Sequence, residues 1–275
     1  MPVHEQAGDE VGVWYDTGVL GATIAAATTL LRLLLGAAVI PYRHPVDTAK
    51  RVATLDQVSG GRVTLVAGAG GLRREFAVLG VDYGARGPLT DEYLSAIRML
   101  WTSTRPSFEG EHVRFPALHA EPGCAQQPHV PIWIGGSSGR LAPLRRAARL
   151  GDGWAPANPI DPGEARADLE FLAAERERCG RSHLPFTMAY SMQVGELDAT
   201  TTRSRQHVGR PAGGQSGTAE SPPPTSPEQV RDEVGRLVEL GASQVSILFD
   251  WRSPAEHADR LQAFAEEVMP WFGAR

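Results

Sequence analysis

The chain has 275 residues, of which 42% are hydrophobic, and a formal net charge of −5 at pH 7. This length suits one large domain or two small ones, and an α/β barrel of roughly 250 residues fits within it. The negative charge gives no reason to expect nucleic acid or an acidic membrane surface as a partner. With only two cysteines and no run of about 18 apolar residues, we expect a cytoplasmic protein without disulfides or membrane spans.

Strands and helices alternate along the chain, which favours parallel β/α units. The strands are predicted at Val11–Tyr15, Leu33–Ile40, Arg62–Ala67, Ile132–Gly135, Gly153–Ala155, Phe186–Val194 and Ser243–Phe249. The helices are predicted at Leu20–Thr28, Pro45–Val58, Pro88–Trp101, Arg140–Leu150, Pro162–Cys179, Pro227–Leu240 and Pro254–Val268. These seven strands are one fewer than a closed eight-stranded barrel has.

Three of these helices have clear start signals, because a capping side chain precedes proline and Glu or Gln follows the cap by three residues. The starts are Asp161-Pro162, Ser226-Pro227 and Ser253-Pro254.

Two segments interrupt the alternation of strands and helices. Phe108–Phe115 alternates around a glycine and predicts a small hairpin outside the main sheet. Residues 195–225 are rich in Gly, Pro, Ser and Thr and predict a flexible insertion, either disordered or a lid, within a single domain over residues 1–275.

The clearest functional pattern lies in Pro131–Trp154, PIWIGGSSGRLAPLRRAARLGDGW. An apolar strand runs into Gly135-Gly136-Ser137-Ser138, and an amphipathic helix follows. Two glycines allow close approach of the backbone, while two hydroxyls and the free N–H groups of a helix start can hold a phosphate. The alternative is a tight turn that needs glycine for its dihedral angles alone.

Collinear segments across most of the chain resemble the bacterial luciferase-like superfamily, most closely its coenzyme F420-dependent oxidoreductase branch. They are Leu33–Lys50, Ala53–Gly70, Arg74–Gly80, Thr90–Trp101, Phe108–Phe115, Gln127–Trp154 and Gly241–Phe272. The resemblance implies a TIM-type (α/β)8 barrel with flavin or deazaflavin at the carboxyl ends of the strands. Against the family pattern, we expect an N-terminally shortened member that lacks the first β/α unit, from a shortened gene product or a mis-assigned start codon.

The resemblance also implies a set of cofactor-binding residues. In the family, a bulge in the third strand, often with a non-proline cis peptide, supports the central ring of the cofactor. Glycines after the fourth strand lie along its chain and phosphate, and a later turn holds the phosphate. The matching residues here are Gly36, Ala37 and Ala38 for the bulge, Gly68 and Gly70 for the glycines, and Gly135, Gly136, Ser137 and Ser138 for the turn. The alternative at the bulge is that small residues serve barrel packing alone.

Five charged or titratable residues near these segments are further candidates. Histidine titrates near neutral pH, so His44 is a candidate catalytic residue, or else it sets the start of the following helix. Arg73 and Arg74, at the glycine loop, could meet a phosphate or the acidic tail of F420, or remain a solvated pair. Lys50 and Asp56 are predicted as ion-pair partners on a helix surface or between elements. No metal site is predicted.

The first functional hypothesis is an F420-dependent oxidoreductase that transfers a hydride between the deazaflavin and a small organic substrate. An FMNH2- and O2-dependent luciferase-like monooxygenase, with FMN as cofactor, is the alternative enzyme. A degenerate, non-catalytic homologue or partner subunit is the third. It is supported by the expected loss of the first β/α unit, by Val66 where relatives often have glycine, and by Gly71 where they often have tryptophan. Relatives commonly dimerise through barrel helices, so a homodimer stays open.

Overall fold

The computed structural model describes residues 15–157, 162–195, 224–249 and 253–272. The chain divides into two compact units, Met1–Met188 and Ala189–Arg275, and the boundary falls within one strand. The predicted strand Val11–Tyr15 lies outside the described residues except for Tyr15, which is in no strand. The predicted flexible insertion at 195–225 also lies outside them except at its ends. The single domain over residues 1–275 stays a prediction.

Every predicted helix, and every predicted strand within the described ranges, is present with ends that differ by a few residues at most. The strands are β1 (Leu33–Val39), β2 (Val63–Gly68), β3 (Phe108–Glu109), β4 (Arg114–Phe115), β5 (Ile132–Gly136), β6 (Gly153–Pro156), β7 (Thr187–Val194) and β8 (Gln244–Phe249). The helices are α1 (Thr17–Ala27), α2 (Pro45–Ser59), α3 (Arg73–Leu79), α4 (Arg86–Thr102), α5 (Leu141–Leu150), α6 (Pro162–Arg178), α7 (Pro227–Glu239) and α8 (Pro254–Glu267). Short 3-10 turns lie at Ile40–Tyr42 and Met269–Phe272. None of the described helices combines the length and apolar character that crossing a bilayer requires.

In the first unit, parallel pairing gives the strand order β1-β2-β5-β6, and the first two residues of β7 pair with β6. The carboxyl ends of these strands therefore lie along one edge of the sheet. The core beneath them is apolar, and several of its members are at most 1% exposed, among them Val63, Leu65, Ile132, Ile134 and Trp154. The pattern is an α/β arrangement with parallel strands. Closure into an (α/β)8 barrel stays a prediction.

The hairpin of β3 and β4 is antiparallel and separate from the parallel sheet, as predicted. Its turn is fastened to α4 by a single side chain. The Glu92 carboxylate accepts hydrogen bonds from the backbone N–H groups of Glu111, His112 and Val113 at 2.9, 2.8 and 2.6 Å. A Cβ atom on Gly110 would collide with that carboxylate, so any other residue there would displace Glu92 from its three N–H donors.

In the second unit, residues 189–194 of β7 pair in parallel with β8. The Ser226 hydroxyl accepts a hydrogen bond from the N–H of Gln229 at 3.3 Å, and Ser253 does the same for Glu256 at 3.2 Å. These contacts confirm the predicted starts of α7 and α8. The third predicted cap, Asp161, lies outside the described residues.

Candidate functional site

Strand β1 is irregular in its carboxyl half. Its register with β2 shifts between Leu35 and Ala38, and the peptide bond between Gly36 and Ala37 is cis. The predicted bulge with its cis peptide is therefore confirmed at the predicted residues. Gly36 and Ala37 are exposed, and Ala38 is half-buried. Their role in supporting a ring stays a prediction.

Two of the predicted glycines have no packing reason to be glycine. A Cβ atom on Gly68 would lie 3.8 Å from Ala37 Cβ and 3.9 Å from the carbonyl oxygen of Ala38. A Cβ atom on Gly135 would lie 3.6 Å from Val66 Cγ1. These are ordinary van der Waals distances, so a methyl group would fit at either position. Since both residues are half-buried at the carboxyl ends of neighbouring strands, their backbone forms a bare cradle beside the β1 kink.

Two other predicted glycines are explained by the protein itself. Gly70 has a φ of +79°, and a Cβ atom there would lie 2.6 Å from Val39 Cγ1. A Cβ atom on Gly136 would lie 2.5 Å from Pro143 Cβ, because α5 crosses close to β5 at this point. Glycine is thus required at both positions whether or not a ligand binds. Their contact with a cofactor stays a prediction.

Val66 lies between the kink and the glycine-serine turn. A Cβ atom on Gly36 would be 2.7 Å from Val66 Cβ, so that glycine is required by the valine. On its other side, Val66 Cγ1 lies near Gly135. Val66 is only 8% exposed. Its isopropyl group therefore fills the space that joins the cradle to the predicted phosphate turn and narrows the site there.

The turn from Gly135 to Ser138 leads into α5 as predicted. The N-cap residue of α5, Arg140, provides no side-chain cap from the described part of the chain. The first N–H groups of such a helix lack intrahelical partners, and the positive end of the helix dipole favours an anion. Ser137 and Ser138 are half-buried, and the Ser138 Oγ atom is buried without a hydrogen bond to any described residue. The turn thus has the donors that a phosphate needs.

Asp168 of α6 borders this turn and was not predicted. Its Oδ1 atom accepts a hydrogen bond from the N–H of Gly139 at 3.1 Å. The residue is 3% exposed, and its Oδ2 atom makes no hydrogen bond within the described ranges. Burial raises the pKa of Asp168 above its ordinary value, although the Gly139 N–H and the nearby Ser138 hydroxyl act in the opposite direction. Asp168 and Gly139 are far apart in sequence, and no sequence pattern pointed to their contact.

His44 is the N-cap residue of α2. Its Nδ1 atom accepts a hydrogen bond from the N–H of Val46 at 3.3 Å, and its ring centroid lies 6.4 Å from that of Tyr93. The role of setting the helix start, predicted as the alternative, is therefore confirmed. A catalytic role for His44 stays a prediction.

Two arginines beside the glycine loop are held by one tyrosine. The guanidinium carbons of Arg73 and Arg86 lie 4.2 and 3.9 Å from the centroid of the Tyr83 ring, and the Tyr83 hydroxyl donates a hydrogen bond to the Gly71 carbonyl at 3.3 Å. Cation–π contacts of this kind hold long side chains in place. The sequence indicated Arg73, but it gave no sign that Tyr83 would position it.

A cavity of about 360 Å³ lies between α1, β1 and α2. Its walls are mainly apolar, and the ion pair of Asp16 with Arg43, 2.8 Å apart, lies among the lining residues. Ala38 also lines it. The cavity is thus largely distinct from the cradle of Gly68 and Gly135.

Comparison with known proteins identifies the relatives of this chain. The family model described as luciferase-like monooxygenase matches residues 3–269. An uncharacterized protein of Mycobacterium tuberculosis is 38% identical over 176 residues, which are 63% of this chain and 60% of that protein. An FMNH(2)-dependent dimethylsulfone monooxygenase of Pseudomonas putida is 29% identical over 172 residues, which are 61% of this chain and 46% of that enzyme. The matched part thus spans about 60% of the first relative and less than half of the second.

The fold also matches a solved structure, the coenzyme F420-dependent tetrahydromethanopterin reductase from Methanopyrus kandleri. The TM-score is 0.73 over 94% of this chain and 88% of the reductase. At 16% sequence identity this likeness concerns the fold alone. Together with the family match, it confirms the luciferase-like fold that the sequence segments predicted.

Proposed function

Because the chain belongs to the luciferase-like monooxygenase family, we propose that it is an oxidoreductase that uses coenzyme F420 to convert a small organic substrate. The observation that supports this proposal most strongly is the bare backbone of Gly68 and Gly135 beside the β1 kink. A flat ring needs such a surface, and packing gives no other reason for these two glycines. The donors at the start of α5 fit a phosphate, so the residues present fit this class of cofactor.

Each part of the proposed site has a separate task. When bound, a deazaflavin supplies the hydride chemistry, and the protein supplies position and shielding. Gly36, Ala37 and Gly68 would support the ring. Ser137 and Ser138, with the first N–H groups of α5, would hold the phosphate. Position at the carboxyl ends of parallel strands is the usual place for the active site in barrel enzymes.

The choice of F420 rests on Arg73 and Arg86. Their stacking on Tyr83 places two cations beside the glycine loop, where they can bind the acidic tail of F420. FMN has no such tail. The alternative, an FMNH2- and O2-dependent monooxygenase, is supported by the match to the Pseudomonas putida enzyme. Val66 supports the third hypothesis, a non-catalytic homologue, because it narrows the site. A cytoplasmic location remains part of the proposal.

Separate titrations of the purified protein with F420 and with FMN, followed by fluorescence, test the choice of cofactor. We expect F420 to bind more tightly. Arg73→Gln should weaken F420 binding by about tenfold, the usual value of one charge-assisted hydrogen bond, and leave FMN binding unchanged. Arg114→Gln, an exposed arginine of the hairpin, is the matched control and should change neither. Tight FMN binding without F420 binding would favour the monooxygenase, and binding of neither would favour the non-catalytic homologue.

A further inference from the structure

The predicted phosphate turn already contacts a carboxylate. Gly139, which directly follows the two serines, donates its N–H to Asp168 Oδ1 at 3.1 Å. The Ser138 hydroxyl is close enough to the same carboxylate to affect its pKa. At least one group that would face a phosphate, the Gly139 N–H, is therefore already bonded to a side chain of the protein.

Asp168 is not an ordinary surface acid. It is 3% exposed, and its Oδ2 atom lacks a hydrogen bond to any residue in the described ranges. A buried carboxylate without a full set of partners is costly, and protein folds rarely keep one without a reason. Glu164, one helical turn earlier, adds a second carboxylate. Its Oε1 atom would lie 3.6 Å from a Cβ atom on Gly139.

The cations of the neighbouring helix do not neutralise Asp168 through any contact in the described residues. Helix α5 packs against α6 and has three arginines, and a fourth, Arg140, is its N-cap residue. Arg146 is paired with Asp91, and Arg145 lies 5.9 Å from the Phe171 ring centroid. Arg140 and Arg149 are exposed. The turn is therefore a site for an anion with a negative charge built into its edge.

We propose that Asp168 is a specificity-determining residue that competes with the cofactor phosphate for the Gly135–Gly139 turn and lowers the affinity of the site for phosphate-bearing ligands. This inference rests on the proposed function, because it assumes that the ring site and the turn bind one cofactor. The carboxylate occupies the Gly139 N–H and repels a second anion at short range, where screening by water is weak. Removing its charge removes this repulsion without changing the shape of the turn.

A comparison of FMN with riboflavin tests this proposal, because the two share the ring and differ in the phosphate. The variant is Asp168→Asn, whose amide oxygen can still accept the Gly139 N–H. The matched control is Glu170→Gln, which removes the same charge from an exposed position of the same helix. Dissociation constants are measured by fluorescence for both flavins, and inorganic phosphate is tested as a competitor of FMN.

We expect Asp168→Asn to bind FMN about tenfold or more tightly than the unchanged protein, with riboflavin affinity unchanged and competition by phosphate increased. Glu170→Gln should match the unchanged protein. Equal or weaker FMN binding by Asp168→Asn overturns the inference and leaves the proposed function standing. Riboflavin binding without any preference for FMN in all three proteins also overturns it. If F420 binds and neither flavin does, the three proteins are compared by their F420 dissociation constants, and equal or weaker F420 binding by Asp168→Asn overturns the inference. If none of the three proteins binds either flavin or F420, the proposed function fails as well.

Discussion

The carboxylates at the two ends of strands β5 and β6 differ in how fully they are hydrogen-bonded. At the amino end, both carboxylate oxygens of Asp152 accept hydrogen bonds. Its Oδ2 accepts the Ile132 N–H at 3.0 Å, and its Oδ1 accepts hydrogen bonds from Arg98 at 2.8 Å and Arg181 at 3.3 Å. At the carboxyl end, Asp168 Oδ2 has no hydrogen bond to another described residue.

The difference indicates which end stabilises the fold and which end keeps a buried charge that the described residues satisfy only in part. A buried carboxylate with a full set of hydrogen bonds costs less free energy than one that lacks partners. The amino end also has unsatisfied buried groups, since the Nε atoms of Arg98 and Arg181 have no hydrogen-bond partner in the described part of the chain. Burial also lowers the pKa of His129, which lies 3.9 Å from Asp152, so this ring is favoured in its neutral form.

The largest expected effect is on the amino end. Asp152→Ala leaves two partly buried arginines without their shared anion and the Ile132 N–H without its acceptor. We expect the free energy of unfolding to fall by about 2–3 kcal/mol, near the low end for buried pairs because Asp152 is partly exposed. Urea denaturation followed by circular dichroism measures it. Asp47→Ala, from the exposed pair with Arg51, is the control and should cost less than about 1 kcal/mol. Equal losses in both variants would contradict the contrast between the two ends.

Substitutions of two neighbouring glycines at the carboxyl end should separate an effect on stability from an effect on cofactor binding. Gly136→Ala places a methyl group against Pro143 and should lower the free energy of unfolding by about 2 kcal/mol through overpacking. Gly135→Ala meets only ordinary contacts and should change stability by less than about 0.5 kcal/mol. The same variant should weaken cofactor binding at least tenfold, because the methyl group would fill the cradle. Unchanged cofactor affinity in Gly135→Ala, measured by fluorescence titration, would remove the main support for the proposed site.

The smallest expected effect is a pH dependence from Asp168. A carboxyl group whose pKa is raised in the folded state contributes stability below its ordinary pKa, and this contribution is lost as pH rises through the raised value. The unchanged protein should therefore lose stability relative to Asp168→Asn as the pH rises from about 4, the ordinary pKa, through the raised pKa, and the difference should then stay constant. Each pH unit by which the pKa is raised corresponds to about 1.4 kcal/mol. Denaturation midpoints at several pH values measure the difference, and a constant difference at all pH values would contradict the burial of this charge.

The elements of the fold could be predicted from the sequence because their signals are local. Serine before proline, with Glu or Gln three residues on, located the starts of α7 and α8. Continuous apolar runs located β2 and β5. Helix α3 was missed because seven residues are too few to show a helical apolar stripe.

The site could be predicted only in part, because much of it depends on contacts between distant segments. The kink of β1 was predicted at Gly36 and Ala37 from the resemblance, and the structure confirms the kink. The prediction that Asp56 is an ion-pair partner is wrong within the described residues. It is fully buried and accepts hydrogen bonds from the backbone N–H and side-chain amide of Gln126, 70 residues away. The contact of Asp168 with Gly139 also joins distant segments, so the sequence could not predict it.

The attachment of the β3–β4 hairpin has a consequence for how this loop can change during evolution. One carboxylate, that of Glu92, gathers three consecutive amide donors, and the strands of the hairpin supply none of them. The residues of the strands can therefore diverge, or the strands can lengthen, without loosening the loop from α4. As long as Glu92 and Gly110 are retained, the hairpin strands can be replaced while the turn stays attached to α4.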